Sequence, residues 1–123
     1  MGKLGWSVWS AAVLLAAVGC HREEQEAPLF ERKISIADKF YDVRALDAKK
    51  TVVVGYAGKI LITEDAGNSW TVRPSGTDRA IYSLDFVDAQ HAWACGQDGL
   101  ILHTSDGGAT WERQSSGTNV YLF

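Results

Sequence analysis

The alternation of apolar and polar residues predicts β-strands along the chain beyond its N-terminal segment. Tyr82, Leu84 and Phe86 alternate with Ser83 and Asp85, which is the period of a strand with one buried face. Asp-Gly and Gly-Gly pairs separate such stretches and supply the positive φ angles that tight hairpins need. No stretch there has helical periodicity. The predicted strands are 41–45, 51–55, 59–63 and 70–73, followed by 82–86, 91–95, 100–104 and 111–114.

The strands belong to a repeat of 41 residues. Shifting the sequence by this period places Tyr41 on Tyr82 and Trp70 on Trp111, and 14 of the 41 positions are identical without a gap. Four strands in about 40–45 residues is the size of one β-propeller blade. The sequence therefore predicts an all-β protein with two four-stranded antiparallel propeller blades.

The repeat also divides the chain into segments. We expect blades at 40–80 and 81–119, an outer closing strand with its lead-in at 29–39, and the start of a truncated third blade at 120–123. A propeller needs at least about four blades to close. The chain is therefore expected to be a fragment or a truncated product of a larger propeller.

Residues 1–19 have the pattern of a bacterial export signal. Lys3 is the only charge before an uncharged run that ends at Gly19, and the run is short for a membrane-spanning helix of about 20 apolar residues. Ala-Val-Gly before Cys20 resembles the lipobox of bacterial lipoproteins, so Cys20 is the expected lipidation site. Residues 20–28 would form a polar tether. A plain secretory signal and an uncleaved anchor stay open as alternatives.

A lipid on Cys20 would hold the folded part at a membrane outside the cytoplasm, on the periplasmic or cell-surface side. Cys95 would then be the only free thiol, which leaves no internal disulfide. Because Cys95 lies in an apolar run, we expect it to be a small buried hydrophobic residue.

Composition narrows the possible partners. The formal net charge of -3 argues against nucleic-acid binding, which usually requires a basic face. His21, His91 and His103 have no partners at metal-ligand spacing, so no metal or other cofactor is expected. His91 is expected to be exposed and His103 partly buried. No small-molecule substrate is evident.

Two segments, 63–70 and 104–111, fit the pattern Ser/Thr-x-Asp-x-Gly-x-Ser/Thr-Trp. The pattern resembles the Asp-box, or bacterial neuraminidase repeat, a hairpin between the third and fourth strands of a propeller blade. The aspartate can accept hydrogen bonds from turn amides, the glycine permits the turn, and the tryptophan covers it. Recurrence at one repeat position favours a structural role over metal binding or catalysis. The residues concerned are Thr63, Asp65, Gly67, Trp70, Thr104, Asp106, Gly108 and Trp111.

The region from Leu29 to Phe123 resembles the photosystem II stability/assembly factor family. The resemblance rests on the segments 55–61, 82–88 and 96–111. It implies a seven-bladed propeller that acts without catalysis by binding protein partners. In photosynthetic members it implies help in assembling the photosystem II reaction centre.

Two other functions stay open. Asp-boxes are frequent in sialidase-type glycoside hydrolases, although the chain has no Arg-Ile-Pro segment and shows no arrangement of arginines that suggests a triad. A truncated product without a function of its own is the other possibility. If the chain is a binding scaffold, Arg44 and Asp85 are candidate partner-facing residues, because they share one repeat position on the innermost strand. The simpler interpretation of both is a solvated strand face.

Overall fold

A computed structural model of the chain describes residues 34–35 and 37–123. They form two four-stranded antiparallel sheets, which confirms the predicted all-β fold class. Within these residues, no helix combines the length and apolar character needed to cross a membrane. The predicted export signal, Cys20, the tether and residues 29–33 of the predicted closing segment lie outside the described residues. The first sheet contains β1 Phe40–Ala45, β2 Thr51–Gly55, β3 Ile60–Thr63 and β4 Thr71–Arg73, and the second contains β5 Ile81–Phe86, β6 Ala92–Gly96, β7 Ile101–Thr104 and β8 Glu112–Gln114.

Each sheet is a simple meander in which consecutive strands are neighbours. The observed strand limits agree with the predicted ones to within one residue. Trp70 and Trp111 were predicted to begin the fourth strands, and this was wrong by one residue. The ladders start only at Thr71 and Glu112, because the preceding tryptophans still belong to the Asp-box hairpins.

Aromatic rings join the innermost strands of the two sheets. The register of β1 shifts at Tyr41 and that of β5 at the equivalent Tyr82, so both residues lie at β-bulges. Their rings meet edge to face with centroids 5.2 Å apart. Phe123, a further 41 positions along the chain, stacks on Tyr82 at 5.1 Å. The inner edges of the sheets are thus linked at one repeat position.

The sheets pack face to face through an aliphatic core. The first sheet contributes Val52 and Val54 from β2 and Ile60 and Ile62 from β3, all essentially inaccessible to solvent. Burial of such side chains is the main favourable contribution to folding. The second sheet completes the core with Ile81, Leu84, Ala92, Ala94, Leu100, Leu102 and Trp111.

A 3₁₀ turn joins the second and third strands of each sheet, at Tyr56–Gly58 and Gln97–Gly99. Gly58 has a φ of +70°, and a Cβ atom there would lie 2.0 Å from the carbonyl oxygen of Thr77. Only glycine permits both this backbone conformation and this close approach. The turn is therefore held against the loop that leaves the fourth strand.

Candidate functional site

The first Asp-box hairpin is closed by a network of short hydrogen bonds. The Thr63 hydroxyl donates to Asp65 Oδ1 at 2.8 Å and accepts the amide of Gly67 at 2.9 Å. The amide of Ser69 donates to Asp65 Oδ1 at 2.8 Å, and the Ser69 hydroxyl donates to Oδ2. Both carboxylate oxygens are thus engaged within the hairpin.

The second Asp-box repeats this geometry. Thr104 donates to Asp106 at 2.8 Å and accepts the amide of Gly108 at 2.9 Å, and the amide of Thr110 donates to Asp106 at 2.9 Å. Trp111 closes the hairpin by donating from its indole nitrogen to the carbonyl oxygen of Gly108 at 3.0 Å.

These hydrogen bonds favour the ionised carboxylates. The Ser69 hydroxyl, then the Ser69 amide, lower the pKa of Asp65 to about 2. Burial by itself would raise the pKa of Asp106, but the Thr110 hydroxyl and amide outweigh it and hold that pKa at about 2. Both carboxylates are ionised and accept hydrogen bonds within their own hairpins, as closure of these turns requires. A purely stabilising role for both stays a prediction.

The two candidate partner-facing residues lie next to each other across the two sheets. Arg44 Nε is 3.7 Å from Asp85 Oδ1, and Arg44 Nη1 is 2.6 Å from Asp42 Oδ1. Asp42 also accepts the backbone amide of Leu84 at 2.9 Å. The charge of Arg44 is therefore largely balanced by two carboxylates on the inner strands.

His91, His103 and Cys95 lie on or beside the face of the second sheet that points away from the first. His103 is half-buried, as expected, and packs against Trp93 with ring centroids 4.6 Å apart. The side chain of His91 is 43% exposed, and its Nδ1 lies 2.9 Å from Asp88 Oδ2. Cys95 is half-buried and not buried as predicted, because no further sheet among the described residues covers its side of the second sheet.

Metal binding has no support in the described part of the chain, where no three histidine, cysteine or acidic side chains are grouped as metal ligands would be.

Sequence reasoning missed a cavity of about 810 Å³ where the chain passes from the first sheet to the second. Its wall is built from the turn Tyr56–Gly58, the end of β4 and the connection from Pro74 to Arg79, with Arg113 of β8 opposite. Four basic and two acidic side chains line it: Lys59, Arg73, Arg79, Arg113, Asp38 and Asp78.

The charges of this arginine cavity are only partly balanced. Lys59 donates to Asp38 at 2.5 Å, which holds the pKa of that carboxyl below its usual range. Arg79 lies 3.7 Å from Asp98. The Nε of Arg73 is buried, and no acceptor in the described residues reaches it. Buried donors are nearly always paired, so this nitrogen, on a residue that lines the cavity, lacks the acceptor that its burial normally requires.

The second blade has a cavity at the equivalent position of the repeat, and its lining can be compared with that of the first. This cavity of about 710 Å³ is lined by Gly99 and residues 113–119. At the repeat positions of Arg73 and Arg79 the second blade has Gln114 and Val120. The cavity of the second blade keeps one basic side chain, that of Arg113, which lines both cavities, whereas the cavity of the first blade has four.

Comparison with known proteins identifies the family. The model of a family described as photosynthesis system II assembly factor YCF48 matches residues 22–120. The chain belongs to this family. Its two sheets are thus blades of a YCF48-type propeller, as the resemblance predicted.

A solved structure supports the assignment. The structure titled "YCF48 bound to D1 peptide" matches with a TM-score of 0.56 and 26% sequence identity. The match covers 62% of this chain and 26% of that one, so the chain spans about a quarter of the length of its YCF48 neighbour. No curated protein sequence matches the chain closely enough to count as a relative.

Proposed function

We propose that the chain is a non-catalytic scaffold that binds a peptide segment of a protein partner during photosystem II assembly. Its family consists of YCF48-type assembly factors, and its structural neighbour is a YCF48 that holds a D1 peptide. The two Asp-box carboxylates support the absence of catalysis, because their low pKa values and full sets of donors leave neither as a proton donor near neutral pH.

The arginine cavity carries the proposal for where the partner binds. Its lining has an excess of basic side chains in a chain whose net charge is -3, so an acidic ligand is attracted to this place in particular. The buried and unpaired Nε of Arg73 is a donor of the kind that fits a carboxylate oxygen. The partner group we propose is therefore a peptide carboxylate.

The backbone of the cavity wall suits a peptide as well. The connection from Pro74 to Arg79 and the turn Tyr56–Gly58 form two irregular segments with exposed positions between two rigid sheets. Binding residues are often carried on such loops because the scaffold behind them fixes their positions. Tyr56, which is exposed at the cavity, adds a flat apolar surface for the side chains of an extended segment.

Calorimetric titration of the chain with a D1 peptide tests this function. Arg73→Gln installs the residue found at the same position of the second blade, and it should weaken binding about tenfold or more through the loss of a charged hydrogen bond. Lys49→Gln removes an exposed basic side chain outside the cavity; it is the matched control and should bind as the wild type does. Amidation of the peptide carboxylates should reproduce the Arg73→Gln loss. Equal affinity for all of these would refute peptide binding in the cavity.

We further propose that a lipid on Cys20 holds this scaffold at a membrane outside the cytoplasm. The support is the apolar run of residues 4–19 that ends in small residues directly before Cys20. Since two or more acyl chains give stable membrane attachment, Cys20→Ser should move the chain from the membrane fraction to the soluble fraction. A serine variant that stays in the membrane fraction and keeps the mass of the uncut chain would show an uncleaved anchor instead.

A further inference from the structure

The arginine cavity of the first blade differs from its counterpart in aromatic character as well as in charge. Tyr56 lines this cavity, and its repeat equivalent in the second blade is Gln97. The equivalents of Arg73 and Arg79 are uncharged as well. At this one place the first blade thus has basic and aromatic side chains where the second blade has neutral side chains without a ring.

Tyr56 belongs to a group of tyrosine rings beside the cavity. The turn Tyr56–Gly58 packs against β5, which carries Tyr82 at its β-bulge. Tyr82 meets Tyr41 of β1 edge to face, with ring centroids 5.2 Å apart and ring planes at 69°. We call Tyr41, Tyr56 and Tyr82 the tyrosine cluster. Because Tyr56 belongs both to this cluster and to the cavity wall, the two features adjoin each other.

The tyrosine cluster lies at the ends of the sheets and not on an outer sheet face. Blades cover one another through their sheet faces, as the aliphatic core between these two shows. Tyr82 has a ring of the same repeat position on either side, Tyr41 before it and Phe123 after it, and is still only half-buried. Tyr56 is 57% exposed although its turn packs against the second blade. The exposure of Tyr56 and Tyr82 is therefore a property of the junction between the two described blades.

We propose that the arginine cavity and the tyrosine cluster form one site with two parts, which selects a peptide that carries a carboxylate and, a few residues away, an aromatic side chain. The proposal rests on peptide binding in the arginine cavity and adds the class of sequence that is bound there.

The chemistry of the tyrosine cluster suits an aromatic side chain. The edge-to-face pair of Tyr41 and Tyr82 leaves ring surface for a further ring, and contacts between aromatic rings add favourable energy beyond the area they bury. Burial, and then neighbours that include Tyr41 and Tyr56, raise the pKa of Tyr82 above its ordinary value of 10.0. This phenol is thus neutral near pH 7 and does not repel the carboxylate of the same peptide.

The position of Tyr56 sets the spacing of the two groups on the peptide. Tyr56 and Arg73 line one cavity, and an extended chain advances about 3.3 Å per residue. A peptide whose carboxylate meets Arg73 therefore brings a side chain to Tyr56 within a few residues. Tyrosine also loses little conformational entropy when it is immobilised by a ligand, because its side chain has few rotatable bonds.

NMR titration of the full chain with synthetic peptides tests the proposal. Each peptide is a short N-acetylated chain of glycine and serine with a C-terminal carboxylate, along which a single phenylalanine is moved one residue at a time. At one spacing from the carboxylate, phenylalanine should tighten binding about tenfold over the peptide that lacks it. Arg73→Gln should weaken binding of both peptides by the same factor.

Variants of Tyr56 locate the effect. Tyr56→Gln installs the residue of the second blade at an exposed position, so it should remove the gain from phenylalanine and leave binding of the peptide without it unchanged. Tyr56→Phe keeps the ring and should keep the gain. Trp93→Gln alters an exposed aromatic residue outside the cluster and the cavity, and it should bind both peptides as the wild type does.

The outcomes separate this proposal from the proposed function. If phenylalanine improved binding at no spacing while binding of the carboxylate still depended on Arg73, the two-part site would be refuted and peptide binding in the arginine cavity would stand. A gain that Tyr56→Gln leaves intact would also overturn the two-part site. So would a set of peptides that does not bind at all, in which case the titration with the D1 peptide decides the proposed function separately.

Discussion

Asp42 of β1 accepts the backbone amide of Leu84 of β5 at 2.9 Å, and so links the innermost strands of the two blades directly. The other oxygen of the same carboxylate pairs with Arg44. At the repeat position of Asp42 the second blade has Ser83, whose side chain is too short to make the equivalent link to a following blade in the same way. The contact between these two blades therefore has a polar component at its inner edge as well as an aliphatic core.

We predict that Asp42→Ala lowers the free energy of unfolding by about 1–3 kcal/mol, since it leaves the Leu84 amide without this acceptor. Asp85→Ala is the control, because Asp85 is exposed and reaches Arg44 only at 3.7 Å, and it should change stability by less than about 0.5 kcal/mol. Urea denaturation of both variants measures the difference. Equal stabilities would show that the link between the blades is energetically unimportant.

The two Asp-box tryptophans provide a second matched pair. Trp111→Ala should cost about 3–5 kcal/mol, because it opens a cavity beside Val52 and Ile62. Trp70→Ala removes a side chain that is more than a third exposed and should cost clearly less in the monomeric chain. Thermal unfolding at low protein concentration compares them. A larger loss for Trp70→Ala would mean that the first hairpin packs against something that the described residues do not include.

The second Asp-box should contribute to stability in a pH-dependent way. Its Asp106 has a folded-state pKa of about 2 against an ordinary value of 3.8, so its stabilising effect is complete above about pH 4 and is lost as the pH falls towards 2. Asp106→Ala should cost about 1–2 kcal/mol near neutral pH. The melting temperature of the variant should also fall less steeply between pH 4 and pH 2 than that of the wild type. If the melting temperatures of the variant and the wild type fell equally between pH 4 and pH 2, protonation of Asp106 would not be the cause of the acid destabilisation.

Gly58 and Gly76 allow the cost of backbone strain to be measured separately from the cost of a steric clash. Gly58 and Gly76 both have a φ of +70°, but only at Gly58 would a Cβ atom strike a backbone oxygen, whereas at Gly76 nothing lies within 4 Å. Gly76→Ala should cost about 1–2 kcal/mol from backbone strain alone. Gly58→Ala should cost more and should also distort the arginine cavity that its turn lines. Equal losses in denaturant unfolding would place the whole effect in the backbone conformation.

Much of the fold could be predicted because the same pattern of strands and turns occurs twice, 41 residues apart. Alternation of apolar and polar residues locates the strands, and Tyr41 and Tyr82 mark equivalent places in the two blades. Cys95 was expected to be buried because it lies in an apolar run, but such a run does not say which face of its sheet is covered. The first residues of the fourth strands were predicted wrongly by one position, because Trp70 and Trp111 still belong to the hairpins that precede the ladders.

The arginine cavity could not be found by the same reasoning. Arg73, Arg79 and Arg113 occupy three different repeat positions, so no periodic signal groups them. They come together only because a turn, a strand end and a connection meet at one end of the first sheet. The one sequence feature that could have indicated the cavity is a difference between the blades: Gln114 and Val120 occupy the repeat positions of Arg73 and Arg79.

Amide hydrogen exchange of the chain with and without a D1 peptide tests most directly where the partner binds. The account predicts slower exchange in the turn 56–59 and in the connection 75–79, which form the wall of the arginine cavity. It predicts no change in the Asp-box hairpins 63–70 and 104–111 at the other end of the sheets, and no slowing at either cavity segment in Arg73→Gln at the same peptide concentration. Slower exchange confined to the hairpins, or no change anywhere at a saturating peptide concentration, would contradict it.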